Sequence, residues 1–235
     1  MSDLTARARI VDAAIEVFAD QGSAASVRSI ASVAGVSAAL ITHHFGSKEA
    51  LKAECDQRVL DAYTELKMAG IASPATSLAM LDEADEAESQ RMAAMIAYML
   101  RAFLDGGDTA REFYRRLLAQ ISDIMHVAVD QGMVRPECVD DAHLRYLAAM
   151  NLGFMVVQYV IDPPAKSVDF MRHLLADPSV MDAMVDVFTH GVFVDDQILT
   201  VFRQSTGLSD AAMGGVSAAT MTVTPAVPLE KEKDV

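Results

Sequence analysis

The feature that most constrains the fold of this chain is an alternation of glycine and serine within its first fifty residues. A glycine can end a helix in the left-handed conformation, and a serine that follows can cap the next helix with its hydroxyl group. The alternation comprises Gly22, Ser26, Gly35, Ser37, Gly46 and Ser47. It predicts four successive helices over residues 5–66, of which the second and third are short.

The composition agrees with a helical protein. Aromatic residues make up 6% of the chain, Trp is absent, and Ala, Leu and Met supply much of the 52% hydrophobic content. Straight-chain residues and Ala favour helix, whereas β-branched and aromatic residues favour strand. The sequence therefore predicts an all-α protein, whose later helices are expected over residues 78–104, 109–131, 140–161, 167–176 and 179–204.

The two short helices, joined at Gly35, form the skeleton of a helix-turn-helix over Ser26–Phe45. Close crossing of such helices requires small residues on their inner faces, and Ala31, Ala34 and Ala39 are predicted to supply them. In this motif the first helix crosses the DNA backbone and the second lies in the major groove. The motif therefore predicts a DNA-binding protein.

Two segments, VRSIASVAGVS from Val27 to Ser37 and HHFGSKEAL from His43 to Leu51, resemble the DNA-binding domain of the TetR family of bacterial regulators. The resemblance is specific over residues 5–58. It implies an N-terminal three-helix helix-turn-helix domain (1–52), joined by a long helix to a helical-bundle domain that binds an effector and dimerises (53–205). Residues 206–235 are rich in Gly, Ser, Thr, Ala and Pro, which predicts a mostly disordered tail.

The resemblance also implies DNA-contact roles for residues in and beside the motif. Arg28 would reach a phosphate or a base edge, and Ser37 would both cap the recognition helix and touch the DNA backbone. The full implied set is Ser26, Arg28, Ser37, Ala38, Thr42, His43, His44 and Lys48. Among these, Ala38, Thr42 and His43 would face the groove, and His44 and Lys48 would contact phosphate. Ala38 and Thr42 depart from the family pattern, in which Lys and Tyr supply backbone contacts.

The charge of the chain opposes DNA binding. Its formal net charge is −14, although residues 1–58 hold six basic and seven acidic residues and are therefore nearly neutral. Affinity for DNA is largely electrostatic, so the acidity favours an alternative function. That alternative is an acidic helical adaptor that binds protein partners and has lost DNA readout.

Residues 140–161 are apolar around nearly the whole circumference of a predicted helix. A helix that is hydrophobic on every face must be buried on every face, which predicts an oligomer interface. The TetR resemblance implies that this helix pairs with the helix around residues 180–192 in a homodimer. The predicted interface comprises Leu147, Met150, Phe154, Val157, Ile161, Met184 and Phe188.

A cluster of Met and aromatic residues admits two interpretations. Met commonly fills irregular gaps in a core, so ordinary packing explains the cluster. The alternative is an adaptable apolar pocket for a small effector. That pocket would be lined by Met92, Met95, Met99, Phe103, Phe113, Leu117, Ile121 and Met125.

Other functions find little support. There is no glycine-rich phosphate loop, no HExxH or GxSxG motif and no Cys or His spacing typical of a metal site, so we expect no enzyme activity, metal or cofactor. Cys55 and Cys138 are far apart, which is typical of a reducing compartment, and the sequence leaves open whether either senses redox state. Residues 1–20 lack the apolar core of a signal peptide, and the apolar stretch 144–161 is broken by polar residues. A cytoplasmic location without membrane association is therefore expected.

Together these patterns predict a dimeric transcriptional regulator. It would be a repressor that binds a palindromic double-stranded operator and is released by a small-molecule effector. The operator sequence, the effector, the regulated genes and the choice between repressor and activator are not encoded in any pattern found in the chain.

Overall fold

A computed structural model describes residues 3–73, 86–163, 169–170, 178–192 and 195–206. Every regular element within these ranges is helical, which confirms the all-α prediction. The helices are α1 (Asp3–Gln21), α2 (Val27–Ala34), α3 (Ala38–Phe45), α4 (Lys48–Ala72), α5 (Glu86–Leu104), α6 (Gly107–Asp130), α7 (Asp141–Ile161), α8 (Pro178–His190) and α9 (Gln197–Thr206). Two short 3₁₀ turns, Gly22–Ala24 and Pro136–Cys138, follow α1 and precede α7.

The predicted serine caps are confirmed. The Ser26 hydroxyl accepts a bond from the Ser29 amide, Ser37 accepts from Leu40, and Ser47 accepts from Ala50, at 3.0–3.1 Å. Ser26 and Ser29 bond reciprocally, as in a capping box. These caps satisfy amides that a helix start leaves without an intrahelical partner, so the starts of α2, α3 and α4 are fixed locally.

The predicted glycine turn between α2 and α3 is also confirmed. Gly35 adopts φ +64°, and its amide bonds back to the last turn of α2. Side chains other than glycine rarely adopt this conformation, so Gly35 fixes the abrupt end of α2 and the crossing of the two helices.

Helix α1 packs against α2, α4 and α5, and so joins the reading head (residues 3–58) to α5. Ile10 and Phe18 on α1 belong to the same buried cluster as Ile30 and Ile41 in the head and Tyr98 in α5. The Phe18 and Tyr98 rings meet edge to face, with centroids 6.2 Å apart. Because the reading head and α5 share one tightly packed core, a shift of α5 would also displace α1.

A buried polar group links α4 to α5. Asp56, 7% exposed, accepts bonds from the Tyr98 hydroxyl (2.5 Å) and from the Lys52 ammonium (3.0 Å). Burial, reinforced by the Asp56 charge, raises the pKa of Tyr98, so the phenol stays protonated and keeps donating. The charge of Asp56 is thereby balanced and hydrogen-bonded, as burial requires.

One long helix predicted near the C-terminus is wrong. The expected helix 179–204 is interrupted: α8 ends at His190, Gly191 follows with φ +78°, and α9 begins at Gln197. The left-handed glycine breaks the helix where the sequence already carried a stop signal. Helix α9 belongs to a second compact unit that begins at Asp195.

Some predicted segments lie outside the described residues. They are the first part of the helix expected at 78–104, most of the helix expected at 167–176, and the tail beyond Thr206. The proposed boundary between residues 52 and 53 falls inside the continuous helix α4 and stays a prediction.

Candidate nucleic-acid interface

The exposed side of α3 is formed by Ala39, Thr42 and His43. Ile41 and Phe45 are buried, and Ala38 is half-buried against the same core. Ala38 lies three positions before Ile41 and therefore shares its face, whereas Ala39 lies on the opposite side. The prediction that Ala39 belongs to the inner face is therefore wrong, and Ala38 is the half-buried member of the pair. Ala31 and Ala34 are buried as predicted.

Two of the predicted contact residues have side-chain contacts within α3. The Thr42 hydroxyl donates to the Ala38 carbonyl at 3.2 Å, although its side chain is exposed and its oxygen can still accept a bond. The His44 ring is half-buried between the rings of His43 and Phe45, with centroids 5.6 and 6.1 Å away. Thr42 and His43 are thus more open to a ligand than His44.

The start of α2 combines an exposed cation with open backbone donors. Arg28 is the second residue of α2 and its side chain is exposed. Ser26, also exposed, satisfies the amide of Ser29, and the amides of the first turn carry the positive end of the helix dipole. A guanidinium beside a helix start is suited to an anion such as a phosphate.

Two arginines of α1 hold the motif from behind. The Arg9 guanidinium donates to the Ala34 carbonyl at the end of α2 (2.8 Å), and Arg7 donates to the His44 carbonyl near the end of α3 (2.9 Å). Arg7 also lies over the Phe45 ring, 4.4 Å from its centroid. These positioning residues escaped the sequence analysis because a bond to a distant backbone carbonyl leaves no signature in the sequence.

Replacing Arg9 with Met should loosen the reading head. The substitution keeps much of the apolar stem and removes the charged donor to the Ala34 carbonyl, which should cost about 1–2 kcal/mol of unfolding free energy. Urea unfolding of the two proteins measures the difference. Arg115→Met is the control, since Arg115 is exposed on α6 and pairs with a glutamate of its own helix. Equal losses in both variants would contradict the positioning role of Arg9.

Lys48 also bonds inside the protein. Its ammonium donates to the carbonyls of Ser23 and Ala25, at 2.8 and 2.9 Å, and so ties the start of α4 to the 3₁₀ turn after α1. The predicted phosphate contact of Lys48 would have to use its remaining proton.

Most basic side chains of the reading head are thus committed to the fold. Five of the six within residues 1–58 bond or pair with a protein oxygen: Arg7, Arg9, Lys48, Lys52 and Arg58. Arg28 is the exposed cation that this region presents beside the recognition helix. Few basic side chains in this region therefore remain available to contact the phosphates of bound DNA. Each charged contact that does form should contribute a large share of the binding free energy.

A cleft of about 560 Å³ lies between α1, α4 and α5. Its walls are largely apolar and include Ile15, Val59, Leu66, Met92 and Met95. Charged groups from all three helices lie around it: Asp12, Glu16, Arg58, Glu65 and Arg91. Burial, together with the nearby carboxylates of Asp12 and Asp20, raises the pKa of Glu16. The cleft can hold a molecule with an apolar body and polar ends.

The cleft differs from the pocket that the sequence suggested. Met92 and Met95 line it, whereas the other six predicted residues do not. Met99, Phe113 and Leu117 are buried in the core, and Phe103 packs edge to face on Phe113, with ring centroids 5.6 Å apart. Ile121 packs half-buried against that core, and Met125 is half-buried as well. The Met cluster is therefore largely ordinary packing, and the cleft opens beside α1 instead.

The predicted dimer surface is strongly apolar and poorly covered in the single chain. Val157 is 51% exposed, Ile161 is 74% exposed and Phe188 is 46% exposed. Met150 is also exposed, and Leu147, Phe154 and Met184 are half-buried. Among the described helices, α7 has the length and apolarity of a membrane span, and 11% of its most apolar window is buried within the chain. An exposed apolar surface of this kind is typical of an interaction site.

The two thiols differ sharply in access. Cys55 is fully buried on α4, and its burial, together with the adjacent Asp56 carboxylate, raises the pKa of the thiol. Cys138 is half-buried in the second 3₁₀ turn. A thiol that is buried and stays protonated is a poor nucleophile, so Cys55 is unsuited to redox sensing.

A thiol-specific reagent should therefore modify one cysteine per folded chain and two after unfolding in denaturant. We expect Cys55 to react at least about 100-fold more slowly than Cys138, because only the thiolate attacks and Cys55 is neither charged nor accessible. Absorbance of the released dye measures both rates. The Cys138→Ser variant should be unreactive while folded, and rapid labelling of that variant would contradict the burial of Cys55.

Within the described residues, no group of three or more His, Cys, Asp or Glu side chains is arranged to hold a metal ion.

Comparison with known proteins agrees with this geometry. Residues 10–55 match the family model "Bacterial regulatory proteins, tetR family", and residues 90–194 match "Tetracyclin repressor-like, C-terminal domain". The chain is 32% identical over 216 residues to the HTH-type transcriptional regulatory protein RaaS of Mycobacterium tuberculosis (strain ATCC 25618 / H37Rv), an alignment that covers 91% of this chain and 99% of the relative.

Two solved structures are also similar. A structure described as a TetR-family transcriptional regulator from Mesorhizobium loti MAFF303099 shares 18% identity with a TM-score of 0.46, covering 78% of this chain and 98% of that one. The TetR-family regulator PfmR from Thermus thermophilus shares 22% identity with a TM-score of 0.45, covering 79% and 99%. The match to RaaS extends over nearly the full length of both chains and includes the helix-turn-helix and the helices behind it. This chain belongs to the TetR family of DNA-binding transcriptional regulators.

Proposed function

We propose that this TetR-family regulator is a homodimeric repressor that binds a palindromic operator and is released from it by a small-molecule effector. The exposed face of α3, beside the capped start of α2 with Arg28, is the observation that carries the proposal. In this arrangement α3 enters the major groove, while Arg28 and the first amides of α2 contact the DNA backbone.

The proposed base contacts come from the short side chains of α3. The Thr42 methyl group can meet a thymine methyl, and the exposed His43 ring can accept from or donate to a base edge. Ala39 adds a small apolar contact on the same face. Since these groups are small, close approach of α3 to the groove is needed, and Arg7 and Arg9 hold the motif in the shape that allows it.

The second copy of the chain is the proposed partner of the apolar surface on α7 and α8. Val157, Ile161 and Phe188 lie there together with side chains of intermediate exposure, as in the core of a protein interface. A two-fold dimer would present two copies of α3 to successive major grooves, about 34–36 Å apart. With DNA as the target, the proposed place of action is the cytoplasm.

The proposed effector site is the cleft between α1, α4 and α5. It contacts the reading head directly through Asp12, Ile15 and Glu16 of α1. A ligand can shift a two-state equilibrium only if it binds the two shapes with different affinity. One wall of the cleft belongs to the reading head and another to the helices behind it. A ligand bound between α1 and α5 would therefore bind with different affinity when these two parts change their relative position.

Selection of duplexes from random double-stranded DNA, followed by sequencing of the bound fraction, tests the proposal. An enriched inverted repeat, with half-sites about one helical turn apart, is the expected result. Enrichment of a single half-site would contradict the dimeric arrangement. A folded dimer that enriches no sequence at low salt would instead support the adaptor function. Two observations favour that alternative: the net charge is −14, and most basic side chains of the reading head bond to oxygens within the protein.

A further inference from the structure

The 3₁₀ turn after α1 is held by the last turn of α5. The Ser23 amide donates to one oxygen of Asp105 at 2.6 Å, and the other oxygen pairs with Arg101 at 3.1 Å. The Asp105 and Arg101 side chains are 21% and 35% exposed, so solvent screens this pairing only in part. We call the group Ser23, Arg101 and Asp105 the latch.

The same turn is held on its other side by the start of α4. Lys48, the first residue of α4, donates to the carbonyls of Ser23 and Ala25. Ala25 is followed directly by Ser26, the cap of α2. The turn therefore connects the end of α5 to the starts of both α4 and α2. A displacement of Asp105 would move the turn, and with it the starts of these two helices.

Gly22 allows the latch to close. It has φ +56°, and a Cβ atom built on it would lie 2.5 Å from the Arg101 Nε and from a carboxylate oxygen of Asp105. Any side chain at this position would therefore meet the latch at less than a van der Waals distance, in a backbone conformation that already favours glycine. A side chain at position 22 would therefore have to displace the Arg101 and Asp105 side chains from their present positions.

Helix α5 runs from the cleft to the latch, which includes Arg101 in its last turn and Asp105 directly after its end. Met92 and Met95 of α5 line the cleft, and Asp105 follows ten residues after Met95, roughly 15 Å along the helix axis. Between them Tyr98 and Leu100 are almost completely buried, so α5 is tightly packed over the stretch that separates the cleft from the latch. A ligand that displaces the backbone of α5 at Met92 or Met95 would therefore displace Asp105 as well.

We infer that the latch couples the cleft to the reading head: filling the cleft shifts α5, draws Asp105 away from Ser23, and so changes the placement of α2 and lowers the affinity for DNA. Asp105 and Arg101 are thereby positioning residues for DNA binding, although neither lies in the helix-turn-helix. The inference rests on the proposed function, since it takes the cleft as the effector site and DNA as the ligand of the head.

A four-protein cycle tests the coupling without an identified effector. Ala69→Phe adds a ring to the α4 wall of the cleft and so mimics occupancy. Asp105→Asn removes the charge of the latch at constant size. The cycle compares wild type, each single variant and the double variant for affinity toward the selected operator and for exchange of the Ser23 amide with solvent deuterium, measured without DNA.

We expect Ala69→Phe to weaken operator binding at least fivefold and to speed Ser23 exchange at least fivefold in the wild-type background. In the Asp105→Asn background the added effect of Ala69→Phe should be below twofold for both readouts, because the neutral amide no longer pairs with Arg101 and accepts only a weaker bond from the Ser23 amide. The matched background is Asp108→Asn, an exposed aspartate three residues further on that pairs with Arg111. There the fivefold effects should persist.

A glycine pair gives a second test. Gly22→Ala should open the latch and reproduce the faster Ser23 exchange, with at least fivefold weaker operator binding. Gly132→Ala is the control, since Gly132 has φ +71° and nothing lies within 4 Å of the position that its new methyl group would take. It therefore shares the backbone strain without the contact. Unchanged binding and exchange in Gly22→Ala would overturn the role of the latch.

The two readouts separate failure of the inference from failure of the proposed function. If wild type selects no operator, the proposed function fails, while Ser23 exchange still reports whether the cleft is coupled to the turn. If wild type binds an operator and Ala69→Phe has no effect, or has the same effect with and without Asp105, the inference is wrong and the proposed function stands.

Discussion

Val157→Glu is expected to convert the protein from a dimer into a monomer and to reduce its operator affinity at least 100-fold. In a two-fold interface the substitution occurs twice, and both carboxylates would have to be buried without a partner. Val157 is half exposed in the single chain and lies beside the still more exposed Val160 and Ile161, at the apolar end of α7. A monomer contacts one half-site, so the free energy contributed by the second is lost.

Light scattering at micromolar concentration measures the mass, and operator titration measures the affinity. Met133→Glu is the matched control, because Met133 is 50% exposed and apolar but lies in the loop after α6, off the α7 and α8 surface. It should remain a dimer with unchanged affinity. Dimeric mass for Val157→Glu would place the interface elsewhere.

The parts of the fold that were predicted from sequence depend on local physics. A serine hydroxyl caps a helix three residues away, and a glycine with positive φ ends one, so Ser26 and Gly35 act within a single turn of chain. The helix starts at α2, α3 and α4 therefore follow from the sequence without knowledge of what packs on them. Gly191 carried the same kind of signal, and the uninterrupted helix predicted across it neglected that signal.

The inner face of α3 shows where periodicity becomes insufficient. The helix has eight residues, and its two buried positions, Ile41 and Phe45, also fit a stripe that continues to Ala38. Ala38 and Ala39 are chemically identical, so the sequence can distinguish them only by their angular position around the helix. A shift of one residue, about 100° around the helix, separates the half-buried alanine from the exposed one.

The cleft and the internal hydrogen bonds of the basic side chains could not be predicted for a different reason. The cleft needs α1 to lie across α4 and α5, an arrangement set by packing among residues up to eighty positions apart, such as Ile15 and Met95. The bonds of Arg9 and Lys48 end on backbone carbonyls, which every residue has. Nothing in the sequence therefore shows that most cations of the head are used internally.

That internal use makes Arg28 the most consequential side chain of the proposed interface. Replacing Arg28 with Gln should weaken operator binding about 30- to 140-fold, since the dimer loses two charge-assisted contacts at a net cost of about 1–1.5 kcal/mol each. Each phosphate contact contributes about 0.9 to the slope of log affinity against log salt concentration, because binding releases the counterions of that phosphate. The loss of two contacts should therefore make the slope shallower by about 1.8. Stability should change little, since the Arg28 side chain is exposed.

Binding titrations at four salt concentrations, with the selected operator and with an unrelated duplex, measure both quantities. Arg111→Gln removes the same charge from an exposed arginine of α6 that pairs with Asp108, and it should leave the slope unchanged. If Arg28 contacts phosphate alone, the Gln variant weakens binding to both duplexes equally; if it also reads a base edge, the selected operator suffers more. An affinity and a salt slope equal to those of Arg111→Gln would show that the head binds DNA without Arg28, and would leave the helix starts and His43 as its means of contact.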